Sequence, residues 1–69
     1  MVSEMKIKRI RQGLSQVELG LQTGIPQWRI SLIERGIKPG QQEIRKISTA
    51  LKLSTDDAFP DFKKGWGVD

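Results

Sequence analysis

The chain has 69 residues, enough for one small domain and too few for two. It contains no Cys and no His, which excludes disulfides, cysteine-rich zinc sites and thiol or imidazole catalysis, so a limited core must be held by packing alone. Twelve Lys and Arg against eight Asp and Glu give a net charge of +4, with the excess leaning to the first half, a balance that suits a polyanionic partner.

At 36% hydrophobic and 29% charged residues the composition is that of an ordinary soluble domain. No apolar run approaches the roughly 18 residues of a membrane span, and Met1-Val2-Ser3-Glu4 does not read as a signal peptide. The expectation is a cytoplasmic protein with no membrane contact.

Punctuation falls at Gly13, Gly24, Gly36, Pro39-Gly40, Leu53-Ser54 and Pro60, leaving helix-sized intervals with almost no strand signal. Within them apolar residues recur every three or four positions: Ile7, Ile10 and Leu14, then Ile30 and Ile33, then Ile44, Ile47 and Leu51. An all-α domain of five helices follows. The first helix carries Ile7 and Ile10. Ser15-Gln16-Val17-Glu18 has the form of a capping box and predicts a second helix from Gln16 to about Thr23, stopped by Gly24 in a left-handed conformation. Pro26 to Arg35 forms the third, ended by Gly36, and Gly40 opens a fourth from about Gln41 to Lys52. Ser54 caps a brief fifth with Asp56 and Asp57 in its first turn. The domain is expected to span 1–59, with Phe59 closing the core beside Ile44, Ile47, Leu51 and Leu53. Residues 60–69 form either a flexible tail or a dimer contact.

A helix ending at Gly24, a turn through Ile25 and a second helix from Pro26 have the spacing of a helix-turn-helix, at about residues 16–35. The strings Gly13-Leu14-Ser15-Gln16-Val17-Glu18-Leu19-Gly20, Gly24-Ile25-Pro26, Ile30-Ser31-Leu32-Ile33-Glu34-Arg35-Gly36 and Lys38-Pro39 sharpen it. Over about residues 5–59 the chain resembles the lambda-repressor-like, Cro/phage-repressor and xenobiotic-response-element family. The family usually has Ala where this chain has Gly20, a large apolar residue at Thr23 and a polar one at Leu21. The resemblance also implies an ion pair between the first helix and Glu34. Arg11 satisfies the family's helix-1 motif if two residues are missing before Gly13, and Arg9 does so if none are, so both remain candidates.

Gln16 opens the second helix, where unpaired amides and the helix dipole favour a phosphate, and the resemblance points to the same backbone contact. The resemblance turns the first turn of the third helix toward base edges. There Gln27 can bond adenine and Arg29 guanine, while Trp28 offers a flat face to a thymine methyl or the sugar wall. The alternatives are a Trp28 turned into the core and an Arg29 spent on a phosphate or a surface ion pair. Leu32 belongs to the groove-facing side, whereas Ser31, Arg35, Lys38 and Gln41 are expected at the DNA backbone.

The resemblance implies a sequence-specific regulator of the repressor kind, without metal or cofactor, whose partner is a double-stranded operator. The resemblance implies a homodimer, for which Phe62, Trp66 and the Phe59 region are the candidate contacts. An antitoxin or adaptor that binds a protein first and DNA second is the alternative. No nucleophile and base pair to make an enzyme, and Asp56-Asp57 is explained by capping.

Overall fold

A computed structural model describes residues 3–60, and among these it contains five helices and no strand. They are α1 (Glu4–Arg11), α2 (Gln16–Thr23), α3 (Gln27–Glu34), α4 (Gln41–Ala50) and α5 (Thr55–Ala58). Phe62 and Trp66 lie outside the described residues.

Local chemistry sets most boundaries. The Ser3 hydroxyl accepts from the Lys6 amide to start α1, and Lys8, Arg9 and Arg11 occupy its last turn, where the dipole favours cations. At α2 the capping box is complete: the Glu18 amide donates to Ser15 Oγ at 3.0 Å and the Ser15 amide donates to Glu18 Oε1 at 2.8 Å. Gly24, at φ 75°, ends that helix by donating to the Gly20 carbonyl. Pro26 is the residue preceding α3 rather than its first member. Helix α4 stops at Ala50, two residues before the expected Lys52. Lys52 takes a left-handed φ of 59°, and its amide and that of Leu53 donate back to Thr49 and Ser48. This is a Schellman ending on a residue that pays a steric cost for it.

The core lies where α2, α3 and α4 converge, around Leu19, Ile30, Ile47 and Leu51, all at or near zero exposure. Each such side chain is worth about 1.5–3 kcal/mol of burial. Met5 enters from α1, and Ala58 with Phe59 closes the base, as expected of Phe59. Because Phe59 is buried within its own domain, the Phe59 side chain is corrected as a candidate dimer contact. The Lys8 ammonium donates to the Asp57 carbonyl, and the Gln12 amide donates to the Leu51 carbonyl, tying α1 to the far end of the chain.

One local expectation needs correction. The apolar face of α1 is not Ile7 and Ile10. Ile10 is exposed and Ile7 half-buried, while Met5 and Arg9, one turn apart, face inward. The helix is rotated so that Arg9 can reach a partner in the interior. Thr23, placed where the resembled family has a large apolar residue, is buried by other means: its hydroxyl donates to Leu19 O at 2.8 Å and accepts from the Ile25 amide at 3.2 Å. At Gly20, α2 and the turn approach so closely that an added Cβ would stand 2.9 Å from the Ile25 carbonyl oxygen. Glycine therefore suits this backbone better than the family's alanine, despite roughly 1 kcal/mol of lost helix propensity.

Candidate nucleic-acid interface

Helix α3 has three flanks, and each has a different environment. Ile30, Ile33 and Glu34 face inward and are buried. With 100° between successive residues, the opposite side carries Trp28, Leu32 and Arg35, at intervals of four and three, with Ser31 beside them. Trp28 is 65% exposed, so of its two possible placements it takes the outward one. Leu32 and Ser31 are half-buried, and Arg35 is exposed, its guanidinium donating to Ser31 Oγ at 3.3 Å.

Behind α3 the ion pair expected at Glu34 is formed by Arg9. Arg9 Nε donates to Glu34 Oε2 at 2.6 Å and Nη2 to Oε1 at 3.2 Å, with Nη1 on the Leu14 carbonyl at 2.7 Å. The gap-free register of the first helix is therefore the one adopted. Arg11 is corrected as a candidate: two residues further on, it points some 200° away and is exposed. The pair is more than a brace. Gln16 Nε2 donates to the same Glu34 Oε1 at 3.0 Å, and Gln27 Nε2 approaches Gln16 Oε1 at 3.4 Å. A line of side chains thus runs from the buried carboxylate to the first residue of α2 and on to the first residue of α3. Nothing in the spacing of Gln16 and Glu34 announces that bond, because it depends on how α2 and α3 cross.

The third flank of α3 meets α4. Of the roles weighed for Arg29, the structure has the ion pair: Nε and Nη2 donate to the two oxygens of Glu43 at 2.8 and 2.9 Å, and Nη2 also reaches the Lys38 carbonyl at 3.3 Å. Glu43 Oε1 accepts as well from the Gly40 amide at 2.8 Å, so one carboxylate caps α4 and holds α3. The hydrogen bond from Arg29 keeps the Glu43 carboxyl below the usual carboxylate range, helped by the Gly40 amide and the Arg29 charge against an opposing effect of burial. The same bond raises Arg29 further above its ordinary value. Glu43 was missed in the sequence, although an acid three residues after Gly40 is a recognisable first-turn signal. Lys38 and Gln41 are exposed on either side of this capped terminus.

Between α2 and the start of α3 lies a shallow groove of about 380 Å³ lined by Val17, Leu21, Ile25, Pro26 and Gln27, among others. Among the described residues there is no cluster of acidic side chains fit for a metal, and no helix is long and apolar enough to cross a membrane.

No curated protein and no solved structure matches the chain. A helix-turn-helix family model does, over residues 5–57, which takes in all of α2 to α4 and most of α1 and α5. With the crossing of α2 and α3 and the buried Arg9–Glu34 brace in place beneath it, that match makes the chain a member of the Cro/C1-type, lambda-repressor-like helix-turn-helix family of DNA-binding regulators.

Proposed function

We propose that the chain is a sequence-specific repressor that works in the cytoplasm and binds a pseudo-palindromic operator as a homodimer, with α3 in the major groove. The observation that carries this reading is the line Glu34, Gln16, Gln27, which links the first residues of α2 and α3 beside the exposed side of α3 and supports a phosphate contact for Gln16 and a base contact for Gln27. Gln27, Trp28 and Leu32 face the bases. Gln16, Ser31, Arg35, Lys38 and Gln41 follow the sugar-phosphate backbone and fix register without carrying sequence information. Two such helices fit successive major-groove turns when their centres are about 34 Å apart.

Selection from a random duplex library at near-physiological salt tests the reading, since salt control separates charge attraction from readout. An inverted repeat with half-sites about one helical turn apart is the expected result, and no enrichment overturns it. Within the enriched site, Gln27→Ala relaxes preference at one or two positions, by about 1–3 kcal/mol, while Gln16→Ala weakens binding to all sequences alike. The reverse pattern overturns this division of roles.

One observation favours a second reading, an antitoxin or adaptor whose first partner is a protein. Val17 and Leu21, one turn apart on the outside of α2, are 51% and 81% exposed beside the shallow groove. Under that reading Leu21→Asp abolishes a 1:1 protein complex and leaves duplex binding intact.

A further inference from the structure

The inference below rests on the DNA-binding reading and concerns which bases the recognition helix can distinguish. In the major groove guanine presents two acceptors that suit Arg or Lys, adenine an acceptor and a donor that suit Gln or Asn, and thymine a methyl group that suits hydrocarbon. Helix α3 offers Gln27, Trp28, Arg29, Ser31 and Leu32 outside its buried positions. Arg29 is its one cation. Its fork already lies on both oxygens of Glu43 and on the Lys38 carbonyl, on the flank that faces α4 rather than on the side of Trp28. To reach the groove the guanidinium would have to leave both Glu43 oxygens and the Lys38 carbonyl and swing from the α4 flank round to the side of Trp28.

The outward side is instead apolar at its centre. Trp28, 65% exposed, and Leu32, half-buried, stand one turn apart on this side. An indole has one donor and no acceptor, so it cannot reproduce a bidentate base contact. On the floor of the major groove the hydrocarbon available to cover these two side chains is the thymine methyl. Gln27, beside it, has the amide geometry that matches adenine. Arg35, seven residues after Trp28, stands past the last turn, at the trailing end of the helix.

We propose that the half-site facing the first two turns of α3 is built of A·T pairs. Gln27 reads an adenine, Trp28 and Leu32 cover thymine methyls, and Arg29 reads no guanine. The protein then discriminates by methyl groups and one amide rather than by a guanidinium.

Deoxyuridine provides the test, because it keeps the pairing of thymine and lacks its methyl. Thymines of the enriched operator are replaced one at a time and affinity is measured for the wild-type protein and for Trp28→Ala, whose truncated side chain is exposed. The expected result is one or two positions where wild type loses about four-fold, the worth of one buried methyl-sized group, and where Trp28→Ala no longer distinguishes the two bases. A parallel selection with Arg29→Ala is expected to bind all sequences more weakly and return the same central bases. Indifference of the wild type to uracil at every position overturns the inference. So does a required central guanine whose preference disappears in Arg29→Ala. Both outcomes leave DNA binding standing, whereas a library with no enriched sequence overturns the DNA reading and the inference together.

Discussion

Two Arg–Glu pairs brace α3, one behind it and one at its side, with nearly the same two-point geometry. Arg9 and Glu34 meet at 2.6 Å with side chains only 8% and 2% exposed, whereas Arg29 and Glu43 meet at 2.8 Å with 26% and 23% exposed. In the first, both charges have left water. Their attraction offsets a desolvation cost of several kcal/mol per ion, so the pair adds little net stability while making each partner indispensable to the other. In the second, solvent competes for both groups and the pair is worth correspondingly little. The same chemistry therefore locks the rear of α3 by burial and orients its flank by geometry alone.

Breaking the rear pair gives the largest expected effect. Arg9→Ala leaves the Glu34 carboxylate buried beside Gln16 alone, and should cost about 3–5 kcal/mol in denaturant unfolding. For a domain of this size that is a large share of the total stability, which runs at roughly 0.05–0.15 kcal/mol per residue. The comparison sharpens with Arg9→Met combined with Glu34→Leu, which removes both charges and fills the space with hydrocarbon. Most of the lost stability should return. A double variant as unstable as the single one would break the comparison, showing that the pair holds something beyond its own charges. With stability restored, a loss of duplex affinity is expected, since Gln16 then has no carboxylate to hold it.

At the flank, Glu43→Gln keeps the shape and removes the charge. Its melting temperature at neutral pH should fall by only a small fraction of the Arg9→Ala change, because both groups can turn to water. An effect as large as that of Arg9→Ala would mean that the two pairs are equivalent, and that exposure is not what separates them.

The difference between the pairs also marks what could be read from the chain. Caps and stops are written in neighbouring residues, so Ser15 with Glu18, Gly24 and Ser54 all fall where local chemistry puts them. The Arg9–Glu34 pair joins residues 25 apart, and whether Arg9 or Arg11 faced inward depended on the rotation of α1 about its axis. That rotation is set by the interior, which turns Met5 and Arg9 in and leaves Ile10 out, against the apolar period of the helix itself. Trp28 is the reverse case. An indole belongs inside on hydrophobic grounds, and its exposure here became visible only once Ile30 and Ile33 had fixed which side of α3 the core takes. Of the interface, the residue types were legible and the hydrogen bonds were not, because bonds such as Gln16 to Glu34 exist only after two helices cross.

The smallest effect is an acid one, and it separates the flank from the caps. The folded pKa of Glu43 lies below its unfolded value, so its contribution to stability is fully present above the ordinary carboxylate range and is lost as pH falls through the depressed folded value. Glu18 is lowered as well, by the Ser15 amide first and the Ser15 hydroxyl second, with no cation involved. In a side-chain carboxyl titration followed by NMR, Arg29→Ala should therefore move the Glu43 midpoint up toward the ordinary range and leave Glu18 where it is. Ser15→Ala should do the converse, raising Glu18 only in part because the amide remains. A Glu43 midpoint that does not respond to Arg29→Ala would mean that the flank pair is not held in solution. Arg29 would then be available to a guanine, and the difference between a locked rear and an oriented flank would become one between a fixed arginine and a roaming one.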